Sequence, residues 1–234
     1  MSDLICLSML DAAHLPATLL PESIHLTAAD FSPSRRTSYM AGRALLAAWC
    51  QRRYDCPALP DMVTGPHGRP AFRDPGLPDF SISHSGDWLW LAVGVPTLGL
   101  DVEQLRPRRN LQKLMAHVLS ARELAWVAVQ DDELRAFYRL WTLREAVLKA
   151  SGRGLAGLSR LQLVPDSHRI ETDEVPAGLI RVAETGGCSL ALYQSSLTPS
   201  FESTPATWRW SPDLGFSSTE LAWQTPWQLT ATVA

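Results

Sequence analysis

The sequence has no long apolar run, no basic excess and no closely spaced pair of cysteines. Each absence removes a class of function. The first apolar stretch, residues 4–10, lacks a basic leader and runs into Asp11. It is far too short to span a bilayer and reads as a first strand rather than a signal peptide. A net charge of −3 argues against a dedicated nucleic-acid binder, which would carry a basic surplus. Cys6, Cys50, Cys56 and Cys188 are scattered with no C-x-x-C spacing, the pattern of reduced, mostly buried thiols in a cytoplasmic protein. The two halves show no obvious internal repeat. What remains is ordinary for a globular chain: 234 residues, 46% hydrophobic and 19% charged, enough for one large domain or two packed halves.

Residues 35–51, RRTSYMAGRALLAAWCQ, keep a helical period through Tyr39, Leu45, Leu46 and Trp49. Arg35, Arg36 and Arg43 lie at its polar positions, and the first two oppose the helix dipole, which an anionic partner would relieve. Residues 65–72, GPHGRPAF, are turn chemistry around Arg69, suited either to a plain surface turn or to a phosphate contact. Next, residues 80–85, FSISHS, alternate apolar and hydroxyl side chains like a short strand, and Gly86-Asp87 joins them to a second β-rich run at 88–93 as a hairpin. At residues 98–105, LGLDVEQL, strand period puts Asp101 and Glu103 on one face and Leu100 and Val102 on the other. Two like charges side by side are mutually destabilising unless a cation neutralises them, and a hard divalent ion does so.

The stretch 137–155, FYRLWTLREAVLKASGRGL, reads as a helix that Gly152 and Gly154 stop. Glu145 and Lys149 are four apart and share a face with Trp141; alone they would amount to a surface ion pair of roughly 0.3–0.5 kcal/mol. Between the strand and this helix, residues 104–120 carry Arg106, Arg108, Arg109 and Lys113 with no acidic residue. Leu111, Leu114, Met115, Val118 and Leu119 form an apolar stripe there, so the segment is either a core-facing helix with a solvated edge or a surface for an acidic partner. Ser120 and Glu123 then read as a capping box. Beyond residue 155, strands are expected at 161–164 and 188–193, a Ser/Thr/Pro linker at 195–205, and a tail whose Trp208, Trp210, Trp223 and Trp227 would cover a core edge.

G-R-P at 68–70, S-I-S-H-S at 81–85, G-L-D-V-E at 99–103 and W-x-x-R-E-A-x-x-K at 141–149, closing in G-R-G-L, together resemble the motif series of the surfactin-type 4′-phosphopantetheinyl transferases. The resemblance covers roughly residues 35–155 and implies an α+β fold. That fold is a pseudo-dimer of two similar α/β halves, 1–105 and 106–234, with the active site in the cleft between them. It implies an enzyme that moves the phosphopantetheine arm of coenzyme A onto a serine of an acyl, peptidyl or aryl carrier protein, releasing adenosine 3′,5′-bisphosphate. Asp101, Glu103 and Glu145 would hold Mg²⁺, with Mn²⁺ as an alternative. Glu145 would also take the serine proton, directly or through a metal-bound water, and Lys149 would stabilise the departing group. Ser83, His84 and Arg36 would contact phosphate oxygens, and Arg69 the region of the 3′-phosphate. Ser38 stands where some members carry an arginine, which leaves Arg35, Arg36 and Arg43 as candidates to replace it. The apo carrier would dock on the segment from Arg106 to Leu119. The protein would be a cytoplasmic monomer without nucleic-acid or membrane partners. Two other readings use the same site: a coenzyme A- or carrier-binding module without catalysis, and a metal-dependent coenzyme A pyrophosphohydrolase.

Overall fold

The computed structural model describes residues 2–65, 67–94, 97–196 and 203–231. In chain order the strands are β1 (Asp3–Ser8), β2 (Met62–Thr64), β3 (Pro70–Phe72), β4 (Asp79–Ser85), β5 (Trp88–Gly94) and β6 (Leu98–Gln104). They continue with β7 (Gln162–Val164), β8 (Arg169–Glu171), β9 (Gly178–Thr185), β10 (Cys188–Ser195), β11 (Ala206–Ser211), β12 (Gly215–Thr219) and β13 (Trp227–Thr230). The α-helices are α1 (Glu22–Ala29), α2 (Pro33–Tyr54), α3 (Leu111–Val118), α4 (Ala121–Ala128) and α5 (Glu133–Ser151). The chain is therefore α+β, as its patterning implies.

One sheet runs β12-β11-β1-β5-β4 and a second runs β6-β10-β9-β13-β8-β7, with β2 and β3 forming a separate hairpin. Strand pairing crosses the expected division at residue 105 twice: β6 belongs to the second sheet, while β11, from late in the chain, pairs parallel with β1 in the first. The physical reason lies in burial. β6 and β10 share an apolar face that covers Leu4 and Cys6, while β11 pairs the backbone of the β1 edge and brings Trp210 to the first core.

Three core clusters follow from strand alternation. Ile5, Leu7, Leu89 and Leu91 on one face of the first sheet pack against Ala41, Leu45 and Trp49 of α2. Their neighbours Leu4, Cys6, Trp90 and Ala92 face the other way and meet Leu98, Leu100, Val102, Leu190 and Leu192 of the second sheet. The opposite face of that sheet, through Ile180, Val182 and Tyr193, packs against Phe137, Leu140, Leu143 and Val147 of α5. The four cysteines are free, as their spacing implies, and burial pushes the Cys6 and Cys188 thiols up to about 11 and Cys50 to about 12.

α5 starts four residues earlier than its sequence suggests, because Asp132 caps it by accepting from the Arg135 N–H at 3.0 Å. It ends at Gly152 in the left-handed conformation, φ 76°. The Ser120–Glu123 capping box forms, and Glu123 has a second role: buried, it pairs with the equally buried Arg144 of α5 and ties α4 to that helix. The stripe on α3 faces the core, with Met115 and Leu119 buried, while Arg106, Arg108, Arg109 and Lys113 stay exposed. Trp210 and Trp227 are buried and Trp208 packs on Trp49, so the tail covers core edges as expected. The middle of the expected linker, residues 197–202, lies outside the described residues.

Gly99 decides how closely α5 approaches the second sheet. A Cβ at this position would lie 2.0 Å from the Ala146 carbonyl oxygen and 2.8 Å from the Ala150 nitrogen, so helix backbone rests directly on β6. Gly99→Ala must push the helix outward. It is expected to cost about 1–3 kcal/mol of stability, read as a lower urea midpoint.

Candidate active site

β4 and β6 are the facing edges of the two sheets, and side chains join them. Asp79, Ser81, Ser83 and Ser85 point from alternate positions of β4 toward β6. They accept the N–H groups of Leu98 (3.1 Å), Leu100 (3.0 Å), Val102 (3.1 Å) and Gln104 (3.0 Å). The hydroxyls of Ser83 and Ser85 in turn donate to Asp101 Oδ1 at 3.0 Å and Glu103 Oε2 at 2.9 Å. The period-2 run of serines read as a strand is thus also the seam between the sheets.

α5 lies across this seam. Trp141, Glu145 and Lys149 line one cavity of about 450 Å³ together with Ile82, Ser83, His84, Asp101 and Glu103. Lys149 Nζ donates to Asp101 Oδ1 and to Ser83 Oγ, each at 2.7 Å. The simple Glu145–Lys149 pairing suggested by their spacing therefore gives way to a tertiary partner. Asp101 Oδ2 and Glu145 Oε1 are buried without any hydrogen-bond partner. Burial, opposed by Lys149, raises the Asp101 pKa; burial and then the Asp101 charge raise that of Glu145. His84 is exposed at the cavity edge, and partial burial followed by the Lys149 charge holds its imidazole below the usual range.

The residues expected to hold a divalent cation all reach this cavity, but in this structure they are not gathered tightly. Among the described residues no three His, Cys, Asp or Glu side chains form a metal cluster. Asp101 turns to Lys149 and Glu103 to Ser85. The donor chemistry nevertheless fits a hard cation: carboxylate oxygens only, two of them buried and unsatisfied, next to an open cavity.

A second cavity of about 320 Å³ adjoins the first, sharing Ile82, Glu145 and Lys149 and continuing along Arg43, His67, Arg69 and Pro70. The arginines expected to read phosphate take different places here. Arg36 turns away from the cleft: its Nε donates to Ala28 O at 3.0 Å and its Nη2 to Ala29 O, so it closes the C-terminus of α1. Arg69 lines the cleft and commits its Nε to Lys149 O and its Nη2 to Asp79 and Leu98 O. Ser83 is 5% exposed, and its hydroxyl is committed to Asp101, Val102 and Lys149. Arg43, one of the alternatives to Arg36, does face the cleft. It stacks on Tyr39 at 4.3 Å with its Nε buried and unpartnered. Asp79 is a site residue that sequence reading missed. Its signal was its place at the head of the D-x-S-x-S-x-S alternation.

The sequence model of the 4′-phosphopantetheinyl transferase superfamily matches residues 97–207, the stretch holding Asp101, Glu103, Glu145 and Lys149. The chain is 36% identical over 172 residues to the protein of Escherichia coli K12 called "Uncharacterized protein YieE", a match covering 71% of this chain and 69% of that one. It is 36% identical over 148 residues to the 4′-phosphopantetheinyl transferase AcpT of Salmonella typhimurium LT2, covering 62% of this chain and 70% of the relative. AcpT of Escherichia coli K12 is 38% identical over 149 residues, covering 62% and 69% respectively.

A carboxylate whose pKa is higher in the folded than in the unfolded chain subtracts stability as pH rises from its ordinary value to the raised one, and the loss persists above it. Glu145 is such a group. Without divalent cation, Glu145→Gln is expected to raise the thermal midpoint at pH 7 by a few degrees. The gap should close as pH falls below the ordinary carboxylate value, about 4. Mg²⁺ should stabilise the parent more than the variant. A gap independent of pH would show that Glu145 is not under electrostatic strain.

Proposed function

We infer the activity from one premise: the chain belongs to the 4′-phosphopantetheinyl transferase superfamily, and it shares 36% identity with a named transferase over 70% of that protein's length. The proposed reaction moves the 4′-phosphopantetheine arm of coenzyme A to a serine of an acyl, peptidyl or aryl carrier protein. The other product is adenosine 3′,5′-bisphosphate. The observation that carries this reading is the meeting of Asp101, Glu103, Glu145 and Lys149 on one cavity, with Asp101 Oδ2 and Glu145 Oε1 buried and unpaired.

In the proposed step the carrier serine oxygen bonds to the phosphorus that bears the pantetheine arm. The bond from that phosphorus to the bridging oxygen breaks, and the electron pair stays on the bisphosphate. Glu145 takes the serine proton. Burial moves its pKa toward neutrality, which suits a base. Lys149 turns its ammonium from Asp101 to the departing phosphate oxygens, where a fixed charge acts on the transition state. Asp101, Glu103 and Glu145 would hold Mg²⁺, or Mn²⁺ in its place, and the ion when bound supplies charge neutralisation for the pyrophosphate. His84, at the cavity edge, remains a phosphate contact in this reading. Arg43 takes over the 3′-phosphate contact first considered for Arg36, supported by its buried, unpartnered Nε on the cleft wall.

The carrier is proposed to dock on α3 and the basic residues before it, whose exposed charges suit an acidic partner on a chain of net charge −3. Arg106 and Arg108 are already engaged, their Nε atoms donating to Gln104 Oε1 at 2.7 Å and to Tyr138 Oη at 2.8 Å. A cytoplasmic monomer completes the proposal; among the described residues no helix is long and apolar enough to cross a membrane.

Incubation with coenzyme A, Mg²⁺ and a panel of apo carriers should add the mass of one phosphopantetheine to a carrier, seen by intact-mass spectrometry. Chelator should abolish the gain, and Glu145→Gln should lose it while staying folded. Release of free phosphopantetheine without a carrier would instead indicate hydrolysis. Charge reversal at Arg109 and Lys113 should raise KM for the carrier several-fold and leave KM for coenzyme A unchanged. A change in the coenzyme A value alone would assign these residues to the nucleotide side.

A further inference from the structure

We infer that Arg69 and Asp79 form a positioning pair that sets where Lys149 stands over the reaction site. The inference rests on the transferase reading for what Lys149 does. The last carbonyls of an α-helix have no partner within the helix. At the end of α5, Leu148 O accepts the Gly152 N–H at 2.9 Å, and Lys149 O accepts from Arg69 Nε at 3.0 Å. A guanidinium here completes the helix terminus and opposes its negative dipole end.

The rest of the fork reaches the two sheets. Arg69 Nη2 donates to Asp79 Oδ1 at 2.8 Å, Asp79 Oδ2 at 2.7 Å and Leu98 O at 3.0 Å. Asp79 is saturated: Oδ1 also accepts the Phe80 N–H at 2.9 Å and Oδ2 the Leu98 N–H at 3.1 Å. Its side chain is 9% exposed and that of Arg69 20%. One ion pair therefore binds β4, the start of β6 and the last turn of α5. Those elements supply Ser83, Asp101 and Lys149, whose polar atoms meet at 2.7–3.0 Å a few residues farther along. Close packing supports the contact, since a Cβ at Gly152 would lie 2.9 Å from Arg69 Cβ.

In this inference Arg69 acts on the reaction through the main chain of Lys149, to which its Nε is committed. A lysine at this position keeps the charge but presents a compact ammonium. It cannot reproduce a planar fork spanning two carbonyls and a carboxylate.

The test is steady-state kinetics of carrier modification with Arg69→Ala, Arg69→Lys, Asp79→Asn, Lys149→Ala and the double variant R69A/K149A, each checked for a cooperative melt. We expect R69A and D79N to lower kcat about tenfold with KM for coenzyme A within about twofold, and R69K to restore less than half of the loss. Once Lys149 is gone, R69A should cost less than about twofold more, because residues acting through one group are not additive. A tenfold rise in KM for coenzyme A at unchanged kcat, or full multiplicative loss in the double variant, would overturn the inference. Should R69A not fold, D79N and R69K carry the same comparison. If the parent modifies no carrier, it is the transferase reading that fails. The coupling is then read from the ¹³Cε resonance of labelled Lys149, which D79N should shift; an unmoved resonance would overturn the positioning role.

Discussion

Everything at the site depends on two sheet edges being joined by side chains rather than by backbone pairing. β6 already uses one edge to pair with β10, so its other N–H groups face β4 and need acceptors. Asp79, Ser81, Ser83 and Ser85 supply them at every second residue. Because each acceptor is a short side chain, the strands stand farther apart than in a ladder. The hydroxyls keep a donor to spend on Asp101 and Glu103. The same interaction that closes the fold thereby aims the acidic pair.

The second constraint is electrostatic. Asp101 and Glu145 sit in a half-buried site with Lys149 as the nearby cation, and each keeps one oxygen with no hydrogen-bond partner. Such a site costs stability in the empty protein. It is tolerated because the surroundings are rigid: Gly99 lets α5 rest on β6, Gly152 ends the helix at the cavity, and the buried Arg144–Glu123 pair holds α4 on its far side. In the proposed function a cation or a phosphate arriving there would take over partners that Lys149 and Ser85 now hold on Asp101 and Glu103.

Arginine shows why residue type alone does not assign a role. Arg36, Arg69 and Arg144 all end up bonding carbonyls or buried carboxylates of the chain itself. Helix ends and buried acids offer a guanidinium the same kind of partner that a phosphate does. Among the arginines of the described residues, only Arg43 combines a place on the cleft wall with an unpartnered buried nitrogen, and both properties depend on how α2 lies beside the hairpin of β2 and β3.

Local sequence was enough to determine the elements that carry the site and much of the site itself. Two-residue alternation specified β4 and β6 and put Asp101 and Glu103 on one face, β-rich composition after a turn specified β5, and helical spacing put Trp141, Glu145 and Lys149 on another face. Those are short-range consequences of backbone geometry. Capping chemistry likewise marked Ser120–Glu123 and Gly152. What tertiary structure alone decided was which faces meet. The return of β11 to pair with β1, the transfer of β6 to the second sheet, and the partnering of Lys149 with Asp101 instead of Glu145 join residues 48 to more than 200 positions apart. No local pattern encodes these pairings. They follow from burying both faces of each sheet and giving every buried N–H, carbonyl and charge the best partner within reach.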